Sequence, residues 1–274
     1  DRIIGGAKGL THDEIVKVFS YSIVKNAGVF DPVTVEELRA EEINNTAGLT
    51  IRKYEHKLED LIGYDVAKEV VDEWIDDKDA KGIILLGIAG TGKTHFAQSL
   101  ASHYNRPCIE AEFAQLMGQG LVGQAEAAMK KFIDVVSANA NPKAPIILFI
   151  DEIEKGLAGT SSASNGGARD GGTTDRSNAQ FLKFLSDARP KGIYIVATCN
   201  NIEKLPPEFI RAERWDTAPI FVDLPNRQEQ EAILKHYQKM YKIKDAPANM
   251  TGWTGAEIRG WCKLAAKKIS KGKK

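Results

Sequence analysis

The chain has 274 residues, of which 43% are hydrophobic and 27% are charged. This composition is typical of a folded globular protein and excludes a disordered or fibrous one, and the length suits one large domain with a smaller addition. Lysine plus arginine and aspartate plus glutamate number 37 each, so no overall field would recruit nucleic acid or an anionic membrane. The three cysteines, Cys108, Cys199 and Cys262, are far apart and odd in number, which argues against a disulfide framework or a zinc site.

The first part of the chain, residues 1–57, is predicted to be a helical linker or docking segment. Thr11 and Glu14 have the spacing of a capping box, and apolar residues then recur at helical intervals. A second helix is expected near Pro32, with Thr34 at its start. Nothing in this segment carries recognisable chemistry.

From about residue 61, short apolar strands alternate with amphipathic helices. The predicted strands are Gly82–Gly87, Pro107–Ala111, Pro145–Ile150, Gly192–Thr198 and Pro219–Val222. This alternation predicts an α/β fold with a parallel five-stranded sheet and helices on both faces. Two further helices, at about 227–240 and 254–270, predict a small lid. The expected domains are a nucleotide-binding domain at 58–225 and a helical lid domain at 226–274.

A phosphate-binding loop follows the first of these strands directly. Residues Gly87–Thr94 read GIAGTGKT and fit the pattern G-x-x-x-x-G-K-[ST]. Glycines allow main-chain amides to turn toward phosphate oxygens without a Cβ in the way, and the next helix offers its N-terminus to the anion. Lys93 is expected to reach the β- and γ-phosphates, and the Thr94 hydroxyl is expected to hold Mg²⁺.

Two acids end a second buried strand. Asp151 and Glu152 follow the apolar run Ile146–Ile150, and the carboxyl ends of parallel strands form the ligand-binding edge of such sheets. Asp151 is expected to hold Mg²⁺ through water, and Glu152 is expected to orient and deprotonate the attacking water. Asn200 ends another strand, where an amide could contact both the γ-phosphate and this water, or could simply form a turn.

Two arginines lie shortly after that asparagine. Arg211 and Arg214 are three residues apart, so on a helix they would share a face. A planar, permanently charged guanidinium suits a γ-phosphate better than an ammonium does. Taken alone, the pair is better explained as two solvated surface charges.

The order of these motifs resembles the AAA ATPase family over about residues 58–270. The shared features are the phosphate loop, the acidic strand, the asparagine strand, the arginine pair and the helical lid. The resemblance implies that Asn200 senses the γ-phosphate. It also implies that Arg211 and Arg214 complete the active site of a neighbouring subunit in a homo-oligomeric ring, commonly a hexamer.

Two further segments are similar to nucleotide-contacting parts of that family. Glu59–Gly63 is similar to the segment that borders adenine, and Thr254–Ile258 is similar to the lid motif that closes over the nucleotide. With the phosphate loop and the first acid, the expected contacts to ATP are Ile62, Gly63, Ala89, Gly90, Thr91, Gly92, Lys93, Thr94, His95, Asp151, Gly255 and Ala256.

More narrowly, the chain is similar to AAA proteins encoded as conserved reading frames in chloroplast and cyanobacterial genomes. The runs that carry this likeness are DEIEK at 151–155, GGTT at 171–174, LPPE at 205–208 and FVDLP at 221–225. The implied compartment is the cytoplasm, or the plastid stroma for a chloroplast-encoded protein. No apolar run has the length that a membrane span needs.

The sequence also departs from the family pattern at four places. Ile88 and Ala89 stand where two prolines are usual, and Trp215 stands where phenylalanine is usual. Glu257 replaces the arginine with which many relatives sense the γ-phosphate. Leu121 lies in the predicted pore loop, where relatives that thread polypeptides usually carry an aromatic residue.

The sequence therefore predicts a Mg²⁺-dependent ATPase of a ring that remodels a protein partner. A nucleotide-dependent scaffold or switch with slow hydrolysis is the alternative, favoured by the aliphatic pore loop. A DNA-acting loader or helicase of the same superfamily is a third hypothesis, and zero net charge argues against it.

Overall fold

The structure is a computed structural model, and it describes residues 10, 12–44, 48–52, 54, 57–58, 61–117, 124–157, 171–188 and 191–270. Its strands are β1 (Leu49–Arg52), β2 (Gly82–Gly87), β3 (Cys108–Glu112), β4 (Ile146–Asp151), β5 (Ile193–Cys199) and β6 (Ile220–Val222). Its α-helices are α1 (His12–Lys25), α2 (Pro32–Asn44), α3 (Asp65–Trp74), α4 (Lys93–His103), α5 (Phe113–Met117), α6 (Gln124–Asn139), α7 (Ile153–Leu157), α8 (Gly171–Lys183), α9 (Arg227–Tyr241) and α10 (Gly255–Ser270). Within the ranges given above, every helix is too short or too polar to cross a membrane.

One sheet organises the fold, with the strand order β1-β3-β4-β5-β2-β6. Strands β3, β4, β5, β2 and β6 are mutually parallel, so the predicted α/β fold with five parallel strands is confirmed. The sixth strand, β1, was not predicted. It pairs antiparallel with β3 and comes from the segment that the sequence analysis describes as helical.

The two N-terminal helices are present, but the start of the second differs from the prediction. Asp31, not Thr34, caps α2, because the Asp31 carboxylate accepts hydrogen bonds from the Thr34 amide at 2.9 Å and the Thr34 hydroxyl at 2.6 Å. These bonds lower the pKa of Asp31, the Thr34 hydroxyl contributing most. Thr11 of the predicted capping box lies outside the described residues.

The sheet is covered on both faces, as the near-continuous apolar strands predict. Side chains alternate along each strand, so Ile147 and Phe149 of β4 pack on the side of α3 and α4. Leu148 and Ile150 pack on the opposite side, with α6 and α8. The buried sheet therefore holds the carboxyl ends of its strands in a fixed arrangement.

The helices α9 and α10 form the predicted lid and pack around a small core of their own, Leu234, Ile243, Ile258 and Cys262. A capping box between Asn226 and Glu229 begins α9. At the start of α10, the Glu257 carboxylate accepts hydrogen bonds from the Thr254 amide and hydroxyl at 2.7 and 2.9 Å. These bonds, led by the one from the amide, lower the pKa of Glu257. The residue that replaces the family arginine thus serves to cap its helix.

Candidate nucleotide site

A cavity of about 980 Å³ opens at the carboxyl edge of β2, β4 and β5, where the lid faces the sheet. The structure brings most of the predicted site residues to its walls. Those that line it are Ile62, Ala89, Gly90, Thr91, Gly92, Lys93, Thr94, His95, Asp151, Glu152, Asn200, Gly255 and Ala256. Parallel α/β sheets bind ligands at this edge.

The phosphate loop has the left-handed turns that its glycines allow. Gly90 and Gly92 have φ angles of +88° and +107°, which residues with a Cβ rarely adopt. Gly92 caps α4, whose first amides therefore open into the cavity. Tyr64 packs against the loop, since its ring stacks on Phe96 and its hydroxyl donates to the Thr91 carbonyl at 3.3 Å.

Lys93 is held at the base of this loop. Only 6% of the residue is exposed, and its Nζ donates to the carbonyls of Gly87 and Ile88 at 2.7 and 2.8 Å. Burial lowers the pKa of the Lys93 ammonium, and the carboxylates of Asp151 and Glu154 act in the opposite direction. A cation in this position can serve the phosphates of a bound nucleotide.

The hydroxyl of Thr94 and the carboxylate of Asp151 face each other at the cavity wall. Thr94 Oγ1 lies 3.3 and 3.4 Å from the two carboxylate oxygens. Mg²⁺ prefers oxygen ligands and is usually bound through one or two carboxylates together with substrate phosphates, so this pair fits the ion. The described residues contain no cluster of three or more His, Cys, Asp or Glu that could hold a metal unaided.

Glu152 is held by two partners. Asn200 Nδ2 donates to its Oε1 at 2.8 Å, and Lys155 Nζ forms an ion pair with its Oε2. The hydrogen bond with Glu152 raises the pKa of Lys155. Glu152 also has a φ angle of +49°, an uncommon conformation for a residue with a side chain. This turn directs the chain out of β4 at the cavity edge.

Glu154 is a buried neighbour of the candidate site that was not among the predicted residues. It is 3% exposed, and its Oε1 accepts a hydrogen bond from the main-chain N–H of Asn200 at 3.0 Å. Glu154 therefore fixes the main chain of the residue whose side chain holds Glu152. Its place two residues after Glu152, on the first turn of α7, was the signal that could have identified it.

The lid contributes a wall that the sequence analysis also missed. Its residues at the cavity are Ile233, His236, Tyr237 and Met240 from α9 and Arg259, Gly260 and Lys263 from α10. They recur at intervals of three and four, the spacing of one helix face, and that periodicity could have identified them. The lid also contacts the phosphate loop directly, because the Ala256 amide donates to the Gly90 carbonyl at 3.1 Å.

Three predicted residues do not line the cavity: Gly63, Arg211 and Arg214. Gly63 lies beside the Glu229 carboxylate, which a Cβ at this position would approach to 3.0 Å. The arginines do not share a helix face, because Arg211 is extended between two short 3₁₀ turns, Pro207–Ile210 and Ala212–Arg214. Within the described part of the chain, neither arginine reaches the site of its own subunit.

The segment that carries the arginines is fixed to the sheet. Asp216 accepts hydrogen bonds from the amides of Lys81 and Gly82 at the start of β2. Trp215 is 2% exposed, and its indole N–H donates to the Phe209 carbonyl at 2.6 Å. A tryptophan therefore fits where the family usually has phenylalanine. Leu121 and the predicted pore loop lie outside the described residues.

The parallel sheet, the glycine loop and the acids at its carboxyl edge define a P-loop nucleotide-binding fold. Comparison with known families matches residues 83–221 to the ATPase family associated with various cellular activities (AAA). The matched segment is about half of the chain and runs from β2 to β6. The chain belongs to the AAA family, as its motifs predict.

Curated relatives agree with this assignment. The chain is 32% identical over 283 residues to the uncharacterized AAA domain-containing protein ycf46 of Pyropia yezoensis, covering 94% of this chain and 54% of the relative. It is 30% identical over 286 residues to ycf46 of Guillardia theta, covering 94% and 53%. These relatives are encoded in plastid genomes, so the narrower resemblance to plastid AAA proteins is also confirmed.

A third relative is a proteasome-activating nucleotidase. The chain is 32% identical over 189 residues to the proteasome-activating nucleotidase of Sulfurisphaera tokodaii, covering 66% of this chain and 46% of the relative. The chain thus spans about half the length of the curated relatives it matches.

Proposed function

We propose that the chain binds ATP with Mg²⁺ in this cavity and hydrolyses it. One observation carries the proposal: Lys93, Thr94, Asp151, Glu152 and Asn200, which lie at or shortly after the ends of three separate strands, line one cavity. Each of these residue types is one that phosphoryl transfer to water requires. Membership of an ATPase family supports the same activity.

In this proposal some of these residues bind the nucleotide and others act in its hydrolysis. The amides of the phosphate loop and the Lys93 ammonium bind the phosphates. Thr94 and Asp151 would hold Mg²⁺, whose chemistry when bound is to neutralise charge on the phosphates. Glu152 accepts a proton from the attacking water, and Asn200 holds Glu152 in position and contacts the γ-phosphate.

The adenine and ribose are bound, in this proposal, between the segment at Ile62 and the lid. Ile233, Tyr237 and Met240 give the lid side of the cavity an apolar surface, which suits a purine ring. Gly255 and Ala256 bring α10 against the phosphate loop. Closure of the lid around a nucleotide would then be transmitted to Gly90 through the hydrogen bond from the Ala256 amide.

The active unit is proposed to be a homo-oligomeric ring, in which Arg211 and Arg214 act on the site of a neighbouring subunit. Their position outside the cavity of their own chain supports this, because an arginine finger given in trans must lie at another surface. The Nη1 atom of Arg214 is buried and has no hydrogen-bond partner within the described ranges. A neighbouring subunit could bind this guanidinium only if the side chain turned outward, since Nη1 is buried and Nε donates to the Ser186 hydroxyl at 2.8 Å in the same chain.

Remodelling of a protein partner is the proposed output of the ring. The likeness to a proteasome-activating nucleotidase supports it. The division into a linker at 1–57, a nucleotide domain at 58–225 and a lid at 226–274 also belongs to the proposal, although β1 joins the linker to the sheet. Plastid-encoded relatives support the stroma, or otherwise the cytoplasm, as the compartment.

Steady-state ATP hydrolysis measured against protein concentration tests the proposal. Turnover per subunit that rises steeply with concentration, needs Mg²⁺ and disappears in Glu152→Gln supports an assembled ATPase. ATP-induced oligomers with negligible turnover would favour a slow nucleotide switch instead. Parallel sizing with a non-hydrolysable ATP analogue identifies the assembly, and a salt-sensitive DNA shift would favour the DNA-acting alternative.

A further inference from the structure

Thr198 connects the two acids of the candidate site. Its hydroxyl donates a hydrogen bond to Asp151 Oδ1 at 2.6 Å and accepts one from the Glu152 amide at 2.8 Å. A hydroxyl has one proton to donate and two lone pairs to accept with, so a single buried group contacts both residues at once. No sequence motif points to a role for this residue.

The sheet explains why Thr198 reaches both acids. Strands β4 and β5 are parallel neighbours, with Ile150 paired to Ala197, so the next residue on each strand is Asp151 or Thr198. Thr198 is completely buried. Its branched Cβ restricts the side chain to few rotamers, and the hydroxyl is therefore held where the two bonds need it.

Each bond acts on a different part of the site. The bond to Asp151 is short and charge-assisted, a strong class of hydrogen bond, and it leaves the carboxylate facing the Thr94 hydroxyl. The bond from the Glu152 amide satisfies a donor at the residue with a φ angle of +49°. Loss of the hydroxyl would free the carboxylate to rotate and leave that amide without its partner.

We propose that Thr198 is a positioning residue that sets the orientation of Asp151 and thereby the affinity of the site for Mg²⁺ with nucleotide. The inference rests on the proposed function and adds a residue to it. Thr198 would not contact nucleotide or metal itself, because it is completely buried and does not line the cavity. Its effect would reach the ligand only through Asp151 and Glu152.

Three variants test this role. Thr198→Val has nearly the same shape without the hydroxyl, and Thr198→Ser keeps the hydroxyl without the methyl group. Thr198→Ala is the second hydroxyl-free variant, for use if the valine variant folds poorly. The measurement is the affinity for a fluorescent ATP analogue, with Mg²⁺ and with EDTA, alongside thermal unfolding.

The expected result is a selective loss of the response to Mg²⁺. Because a hydrogen bond to a charged group is lost, Thr198→Val should reduce the Mg²⁺-dependent gain in affinity by about tenfold or more. Its affinity in EDTA should stay within about twofold of wild type, since the phosphate loop is untouched. Thr198→Ser should retain most of the gain. A general structural defect would instead lower both affinities together.

Three outcomes would overturn one claim or the other. If the wild-type chain responds to Mg²⁺ and Thr198→Val responds equally, Thr198 has no positioning role, and the proposed function stands. The same conclusion follows if Thr198→Ser loses the response as fully as Thr198→Val does. If the wild-type affinity itself does not change with Mg²⁺, the metal site of the proposed function is wrong.

Discussion

The Nδ2 atom of Asn200 donates a hydrogen bond of 2.8 Å to Oε1 of Glu152. This bond joins the ends of two neighbouring strands and orients the carboxylate that we propose as the general base. Asn200→Ala should therefore lower kcat by about tenfold or more, because the base loses its orientation, with a smaller loss of ATP affinity from the missing γ-phosphate contact. Asn201→Ala is the matched control, since Asn201 only caps a short 3₁₀ turn. An equal loss in both variants would contradict the assignment.

Glu152→Gln should bind ATP normally and hydrolyse it at least about a hundredfold more slowly, because the amide cannot accept a proton from water. Glu208→Gln, at a half-buried position outside the cavity, provides the control. Single-turnover hydrolysis and equilibrium nucleotide binding measure the two effects separately. Near-normal hydrolysis in Glu152→Gln would point to a different base.

Lys93→Ala should weaken nucleotide binding by about a hundredfold or more, because a buried cation that faces the phosphates is removed. Lys191→Ala is a suitable control, since Lys191 is an exposed lysine paired with Asp79. Titration with a fluorescent nucleotide compares the two. Unchanged affinity in Lys93→Ala would refute the location of the phosphate site.

Arg211→Ala and Arg214→Ala should each reduce turnover, on the order of a thousandfold for a true arginine finger, without loss of nucleotide binding. Mixing either variant with Lys93→Ala subunits should restore part of the turnover. In mixed rings an intact arginine from one subunit can complete an intact nucleotide site on the next. Complete absence of rescue across mixing ratios would count against a shared site.

Gly82→Ala should destabilise the fold by about 3 kcal/mol or more, because strain and a backbone clash combine. Gly82 has a φ angle of +131°, and an added Cβ would lie 1.9 Å from the Ile195 carbonyl oxygen of the adjacent strand. At Gly260, in the interior of α10, an added Cβ meets no atom within 4 Å, and Gly260→Ala should stabilise its helix by about 0.5–1 kcal/mol. Urea unfolding of both variants tests the contrast.

The strands of the parallel sheet could be predicted because they are short, buried and almost continuously apolar. Strand β2 agrees with the prediction in both limits, and β3, β4 and β5 are displaced by one residue. Strand β1 could not be predicted, because its four residues form a strand only against β3. Its pairing, from Leu49 with Ala111 to Arg52 with Cys108, spans about sixty residues of sequence.

The same distinction between local sequence signals and contacts with distant residues applies to the candidate site. The phosphate loop and the acids have motif spacing that requires no knowledge of the fold. Thr198 and Glu154 act through hydrogen bonds between chain segments more than forty residues apart. The position of Glu154 beside Glu152 makes it a candidate, but the sequence does not show which residues these two side chains contact. The spacing of the arginine pair would put both on one face of a helix, but the chain there forms two 3₁₀ turns, Pro207–Ile210 and Ala212–Arg214, with Arg211 extended between them.

The hydrogen bond from the Ala256 amide to the Gly90 carbonyl is made entirely between main-chain atoms. Such a contact does not require a particular side chain at either position, and at residue 256 only proline, which lacks the donor amide, would delete it outright. The lid and the phosphate loop would thus remain joined while the surrounding side chains diverge. Proteins with very different cavity linings could in this way keep the same contact between the lid and the phosphate loop.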